Sequence, residues 1–120
     1  MARWSEQEQA WIILSELFLD TDIAGLVPSI VQRLMALPIN GAALQGMLVN
    51  DVYPVCGANL RSVAGIWQGF DPDTLVVAIH EHRLRGGRFA GVRRMWRRRR
   101  VMRDVPQWRV VRHALAHPEL

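Results

Sequence analysis

Apolar residues recur at helical spacing along most of this chain, in short segments that begin at capping residues or prolines. The first segment begins at Ser5 and Glu8, whose spacing is that of a capping box. Trp11, Leu14 and Phe18 follow at intervals of three and four residues, which places them on one helix face. We therefore predict an all-α fold, a compact single-domain bundle of about six to seven short helices.

Two further segments follow the same pattern. Asp20-Thr21-Asp22 is predicted to end the first helix and to cap a second, which keeps the helical period as far as Leu37-Pro38. Pro28 lies inside that pattern and predicts a kink or a late start. Asn40 is a suitable cap for a third helix, which should end or bend at Tyr53 because a proline follows it.

The middle of the chain gives weaker signals. A short segment from Pro54 to Arg61 is predicted to re-enter helix, with Pro54 at its first position. The stretch from Ser62 to Phe70 is ambiguous. Asp71-Pro72-Asp73-Thr74 is the clearest helix start, because it combines a capping side chain, a proline at the first position and an acid in the first turn. The apolar run from Leu75 to Ile79 could also form a strand, but the cap favours helix.

The sequence pattern in the last third of the chain predicts two helices. Gly86-Gly87 should end the preceding helix, and the next should run from about Ala90 to Arg103. Asp104-Val105-Pro106-Gln107 resembles a capping box and should open the last helix, which Pro118 closes. The predicted core includes Trp11, Phe18, Leu44, Ile79, Trp96 and Trp108.

The charge divides the predicted single domain, residues 1–120, into two unequal parts. Residues 1–82 carry three Arg against nine Asp and Glu, a net charge of −6. Residues 83–120 carry twelve Arg against two acids, a net charge of +10. The chain contains no Lys, and guanidinium groups are well suited to bidentate contacts with carboxylates or phosphates. Apolar runs are too short for a membrane span, and the N-terminus does not read as a signal peptide, so we expect a cytoplasmic protein.

Three stretches resemble a known family: LSELFLDTD at 14–22, DVYPV at 51–55, and NL at 59–60 with VAGIWQGFD at 63–71. On these motifs the chain resembles a family of small uncharacterised bacterial proteins, a domain of unknown function. The family pattern has Glu at two positions where this chain has Asp51 and Ile66. Because Ile66 is not an acid, the resemblance does not support a role for an acidic side chain at position 66. The resemblance implies a compact helical fold and carries over no catalytic residue.

Histidine and cysteine do not form a recognisable catalytic or metal-binding motif. His80 and His82 are two residues apart, which on a helix directs them about 200° away from each other. His113 and His117 have the spacing of two ligands on one helix face, but we identify no third ligand, and a helix C-terminus favours cationic His. Cys56 lies among small and apolar residues, as a buried thiol does. We therefore expect no catalytic residue, no cofactor and no metal, and a protein that is not an enzyme.

An acidic pocket is the remaining alternative for an active site. Glu16, Asp20, Asp22 and Asp51 could gather there, since the first two are four residues apart on one helix face. The more ordinary interpretation is that these acids cap helices or pair with arginines.

The segment from Arg93 to Arg103 is the most unusual feature of the sequence. On a helical wheel Val92, Met95, Trp96 and Met102 form a narrow apolar stripe. Arginines occupy the opposite side, and we predict them as the partner-binding residues: Arg93, Arg94, Arg97, Arg98 and Arg100. Arg99 and Arg103 fall inside the stripe, so they should extend outward or pair with a carboxylate such as Asp20, Asp22 or Glu81.

These features favour a small protein-binding module, immunity-like or regulatory, that binds a protein partner with an acidic surface. Nucleic-acid binding through the Arg93–Arg103 helix is the alternative, although the chain lacks a recognisable reading motif. Binding of the basic helix to a membrane surface and catalysis by the acidic residues are weaker alternatives.

Overall fold

The protein is described by a computed structural model that covers residues 4–18, 23–57, 71–85 and 90–117, without the side chains of 23, 90–95 and 97. The sequence features outside the described residues are Asp20-Thr21-Asp22, the end of the predicted Pro54–Arg61 segment (residues 58–61), Ser62 to Phe70, Gly86-Gly87 and Pro118. Within the described ranges the regular structure is helical and no strand is present.

The first helix, α1, runs from Glu6 to Ser15 and continues into a 3-10 turn over Glu16–Phe18. Its predicted capping box is confirmed. The Glu8 N–H donates to Ser5 Oγ at 3.1 Å, and the Ser5 N–H donates to Glu8 Oε1 at 2.9 Å. Trp11, Leu14 and Phe18 are buried, as their spacing predicts.

Helix α2 spans Ile23–Met35 and contains Pro28. Of the two alternatives predicted at Pro28, the late start is wrong, because the helix is already formed five residues before the proline, and the kink stays a prediction. Pro28 is solvent-exposed and has no N–H to donate to the preceding turn. Ile30 and Leu34 are buried one turn apart on the inner face of α2.

The chain stays helical from α3 past Pro54, but its hydrogen bonding changes before the proline. Helix α3 spans Gly41–Met47, and Asn40 Oδ1 accepts from the Ala43 N–H at 2.8 Å, as expected of a cap. A π-helical segment, Leu48–Val52, follows and leads directly into α4, Tyr53–Cys56. The Tyr53 N–H donates to the Leu48 carbonyl, five residues back, and this wider turn leads into Pro54, which has no N–H to donate.

Helix α5 spans Pro72–Leu84 and confirms helix over strand for this apolar run. The Asp71 side chain accepts from the Thr74 N–H at 3.2 Å, so the predicted cap is formed. Leu75, Val76 and Ile79 are buried.

Helix α6 spans Ala90–Asp104 and α7 spans Gln107–Ala116. The predicted capping box at Asp104 is wrong, because Asp104 is the last residue of α6 and Pro106, before α7, makes no side-chain cap. The Asp104 carboxylate is engaged elsewhere. It accepts from the Tyr53 hydroxyl at 2.7 Å and from Arg103 Nε at 3.0 Å.

The helices form one all-α bundle around the π-helical segment, which contacts α1, α5 and α6. Among the described residues, α2 and α7 form the most extensive packing between two helices. Trp108 of α7 is fully buried, and its indole N–H donates to Gln45 Oε1 at 3.2 Å. The radius of gyration is 13.9 Å, close to the value of about 14 Å for a globular chain of this length.

Candidate interaction surface on helix α6

Helix α6 is attached to the rest of the protein through its C-terminal part. Val101 and Val105 are buried, and Met102 packs against the core beside them. The Tyr53 hydroxyl reaches Asp104 at the end of the helix. Among the described side chains of α6, Val101 and Val105, which are one turn apart, define the face that packs against the bundle.

The prediction that Trp96 contributes to the core is wrong. Trp96 is 56% exposed. It precedes Val101 by five residues, which is about 140° around the helix, so burial of Val101 turns Trp96 toward solvent. Of the predicted apolar stripe, Trp96 faces solvent and Met102 packs against the core, while the side chains of Val92 and Met95 lie outside the described part.

Arginines surround the exposed tryptophan. Arg99 and Arg100 are exposed, and the guanidinium carbon of Arg99 lies 5.6 Å from the centroid of the Trp96 ring, within the range of a cation–π contact. Arg103 is exposed one turn further along. These residues have the spacing i, i+3, i+4, i+7 and share one side of the helix. We call this surface the α6 face: Trp96, Arg99, Arg100 and Arg103.

The predicted partner-binding arginines are distributed differently. Arg98 and Arg100 are exposed as expected, but only Arg100 belongs to the α6 face, because Arg98 lies about 200° around the helix from Trp96. The side chains of Arg93, Arg94 and Arg97 lie outside the described residues. Arg99 and Arg103 fall inside the apolar stripe on the helical wheel, and both extend outward to solvent, one of the two alternatives predicted for them. The spacing of Val101 and Val105 was the signal that could have placed them on the outer face.

The predicted pairing of Arg99 or Arg103 with a carboxylate far away in the sequence is not seen among the described residues. Arg103 Nε contacts Asp104, its neighbour in sequence, at 3.0 Å, and Arg99 contacts the Trp96 ring. Among described residues neither arginine forms an ion pair with Glu81, and Asp20 and Asp22 lie outside the described ranges. Arg103 nevertheless keeps 70% of its side chain exposed.

Of the four acidic residues that could have formed an active site, Glu16 and Asp51 are engaged in structural contacts, and Asp20 and Asp22 lie outside the described residues. Glu16 accepts two hydrogen bonds from the Arg33 guanidinium, one of them at 2.7 Å. This contact raises the pKa of Arg33. Asp51 Oδ2 accepts from the indole N–H of Trp11 at 3.1 Å, and its Oδ1 lies 3.8 Å from Arg83 Nε. Both carboxylates join helices, as the ordinary interpretation of these acids predicts.

The structure also shows what surrounds His80, the His113 and His117 pair, and Cys56. His80 Nε2 lies 3.0 Å from Glu8 Oε2, and the imidazole packs edge-on against Trp11. His113 and His117 bring their ring centroids to 4.6 Å. No group of three or more His, Cys, Asp or Glu converges as a metal site within the described ranges. Burial raises the pKa of the Cys56 thiol to about 12, so it is protonated at neutral pH and is a poor nucleophile.

The described part of the chain contains no helix that is both long and apolar enough to span a membrane. Comparison with curated proteins and with solved structures finds no match. A model of the family described as a domain of unknown function (DUF7079) matches residues 5–114, so the chain belongs to this uncharacterised family, in agreement with the resemblance seen in its sequence.

Proposed function

We propose that this protein is a small non-enzymatic binding module whose α6 face recognises an acidic surface of a protein partner. The observation that supports this proposal best is the exposed Trp96, surrounded by arginines on one side of an attached helix. Tryptophan and arginine are enriched among the residues that dominate the energy of protein interfaces.

Trp96 supplies the apolar part of the recognition. Its side chain is 56% exposed, and burying apolar surface contributes about 25 cal/mol per Å² removed from water. Arg99 lies against the ring, which keeps the aromatic surface and the guanidinium side by side. The suitable counterpart is an apolar recess bordered by carboxylates.

The charge of the α6 face supplies the selectivity. A planar guanidinium can donate two parallel hydrogen bonds to one carboxylate, which favours Asp and Glu on the partner. Residues 83–120 carry a net charge of +10, and such a field speeds encounter with a negative surface. Residues 1–82 carry −6, which disfavours a second broad contact with a nucleic-acid backbone.

The finer form of the proposal is an immunity-like or regulatory protein of bacteria, which binds the product of a neighbouring gene. Its small size and its separated acidic and basic parts suit the role. The direct measurement is calorimetric binding of the purified chain to the purified product of the neighbouring gene. No binding to that product would contradict this finer form and leave the α6 face to be tested by itself.

The α6 face is tested by quantitative co-purification from nuclease-treated extract of the native host. Wild type is compared with Trp96→Ala and Arg100→Glu, and with Arg109→Glu, which reverses one exposed charge on α7. An acidic protein should be retained by wild type and by the α7 control and be lost from both α6 variants. Equal retention by all four proteins would contradict the proposal.

Nucleic-acid binding through the Arg93–Arg103 helix is the competing outcome. It predicts that the retained material is removed by nuclease. It also predicts binding to duplex nucleic acid. The logarithm of the association constant should then fall with the logarithm of the salt concentration, with a slope of about −4 to −5 if about five phosphates are neutralised. Submicromolar duplex binding with this slope, together with no surviving protein partner, would replace the protein-partner proposal.

A further inference from the structure

The C-terminal end of α7 brings two imidazoles together on the surface. His113 lies in the last turn of the helix, and His117 follows directly after its final residue. The His117 N–H donates to the His113 carbonyl at 3.1 Å, which closes the turn between them. The two ring centroids are 4.6 Å apart, with the ring planes inclined by 44°. The spacing in sequence is therefore realised as a contact.

We infer that His113 and His117 form a two-imidazole site for a divalent transition ion of the Cu²⁺, Ni²⁺ and Zn²⁺ class. Neutral imidazole is the protein ligand that suits these ions, and its nitrogen binds at about 2.0–2.1 Å in zinc sites. Both side chains are exposed, so their rings can rotate to direct one nitrogen each at a shared ion without disturbing the core. The inference departs from the absence of metal expected from the sequence.

The charges around His113 and His117 affect how strongly the two imidazoles bind a metal ion. The free carbonyls at the end of α7 carry the negative end of the helix dipole, which favours a cation. Arg112 is held toward α3, since its Nη1 donates to Gln45 Oε1 at 2.7 Å. Arg109, exposed one turn before His113, opposes the cation. The site therefore depends on both imidazoles together.

Two protein ligands leave coordination positions for water or for a side chain of a partner. No third His, Cys, Asp or Glu completes the site among the described residues. Imidazole sites follow the general order in which Cu²⁺ binds more tightly than Ni²⁺ or Zn²⁺. The same order is expected here.

The other histidine pair is a matched control. His80 and His82 are two residues apart on α5, and His80 contacts Glu8 at 3.0 Å. Helical geometry directs residues two apart to different sides of the helix. This pair should contribute nothing to binding by the His113 and His117 pair.

The experiment titrates the full chain with Cu²⁺ and, separately, with Zn²⁺ by isothermal calorimetry, and records electron paramagnetic resonance of the Cu²⁺ complex. We expect one ion per chain, tighter binding of Cu²⁺, and hyperfine coupling to two nitrogens. His113→Ala and His117→Ala should each weaken binding by at least about tenfold, whereas His80→Ala and His82→Ala should bind as wild type does.

Circular dichroism of each variant establishes that the helices are retained, and His113→Asn and His117→Asn provide a polar replacement if an alanine variant is altered. Binding that survives loss of either imidazole at wild-type strength overturns the inference. Hyperfine coupling to a single nitrogen, or loss of binding in His80→Ala, overturns it as well.

Discussion

Trp11 and Trp96 each lie against an arginine, with the guanidinium carbons of Arg83 and Arg99 at 5.5 and 5.6 Å from the two ring centroids. Their surroundings differ completely. Trp11 is fully buried and donates its indole N–H to Asp51, whereas Trp96 is 56% exposed. The same pair of residue types thus contains a buried tryptophan in one case and an exposed tryptophan in the other, while both arginines are exposed.

The difference teaches that the role of a tryptophan–arginine pair depends on what packs around it. Around Trp11 the α1 helix meets the π-helical segment and α5, so the ring is enclosed and its polar atom requires an acceptor. Trp96 lies on the side of α6 that is turned away from Val101. We therefore assign structure to the first pair and propose binding for the second.

The largest expected effect separates the two tryptophans. Trp11→Ala should lower the free energy of unfolding by about 3–5 kcal/mol, because it removes a large buried side chain. Trp96→Ala should lower it by at most about 1 kcal/mol, the size of an exposed cation–π contact. Denaturant unfolding followed by circular dichroism measures both values. Equal losses would show that Trp96 is a core residue after all.

Removing Asp51, which accepts the hydrogen bond from the Trp11 indole N–H, should have the next largest effect on the free energy of unfolding. Asp51→Ala leaves the buried indole N–H without this acceptor and should cost about 1–3 kcal/mol. Asp51→Asn keeps an acceptor oxygen and should cost less. The control, Glu81→Ala, removes an exposed acid from α5 and should stay within about 0.5 kcal/mol. A similar loss in Asp51→Ala and in this control would mean that the hydrogen bond does not stabilise the fold.

The attachment of α6 can be weakened without touching the α6 face. Tyr53→Phe removes the hydroxyl that donates to Asp104 and should lower stability by about 1 kcal/mol. Native-state hydrogen exchange should accelerate near the C-terminal end of α6. A double-mutant cycle with Asp104→Ala, which removes the acceptor, measures the coupling energy of the pair, and a value of zero would contradict the role of this contact.

The smallest effect concerns the start of α1. The Ser5 backbone N–H, and then His80, hold the pKa of Glu8 below its ordinary value of 4.5. This contribution to stability is present above pH 4.5 and is lost as the pH falls through the lower pKa of the folded state. Glu8→Gln should therefore reduce the loss of unfolding free energy that the wild type shows as the pH falls below 4.5, measured by denaturant unfolding at a series of pH values. Glu6→Gln, at the same helix start but outside the capping box, should leave that loss as in wild type.

Local signals predicted the helix starts well. Ser5, Asn40 and Asp71 each cap the helix expected of them, because a cap needs only a side chain and an N–H three residues later. Asp104 has the same local pattern and does not cap. Its carboxylate is taken by Tyr53, a residue 51 positions earlier in the chain, which no local pattern reveals.

The candidate surface was predicted in part. The sequence located the basic helix and the exposure of Arg98 and Arg100, since a run of arginines cannot be buried together. It misplaced Trp96, because a helical wheel groups apolar residues without knowing which of them meets a neighbouring helix. Trp96 and Met102 lie on the same wheel stripe, yet only Met102 packs against the core.

The sequence by itself determined the all-α class and the membership in a family of unknown function, since helices form from hydrogen bonds and caps within a few residues. The tertiary structure alone decided how α6 is turned about its axis and which partners Glu16 and Asp51 find. Those outcomes depend on contacts between residues far apart in the chain. The burial of Val101 and Val105 against the bundle is what places Trp96 and its neighbouring arginines in solvent.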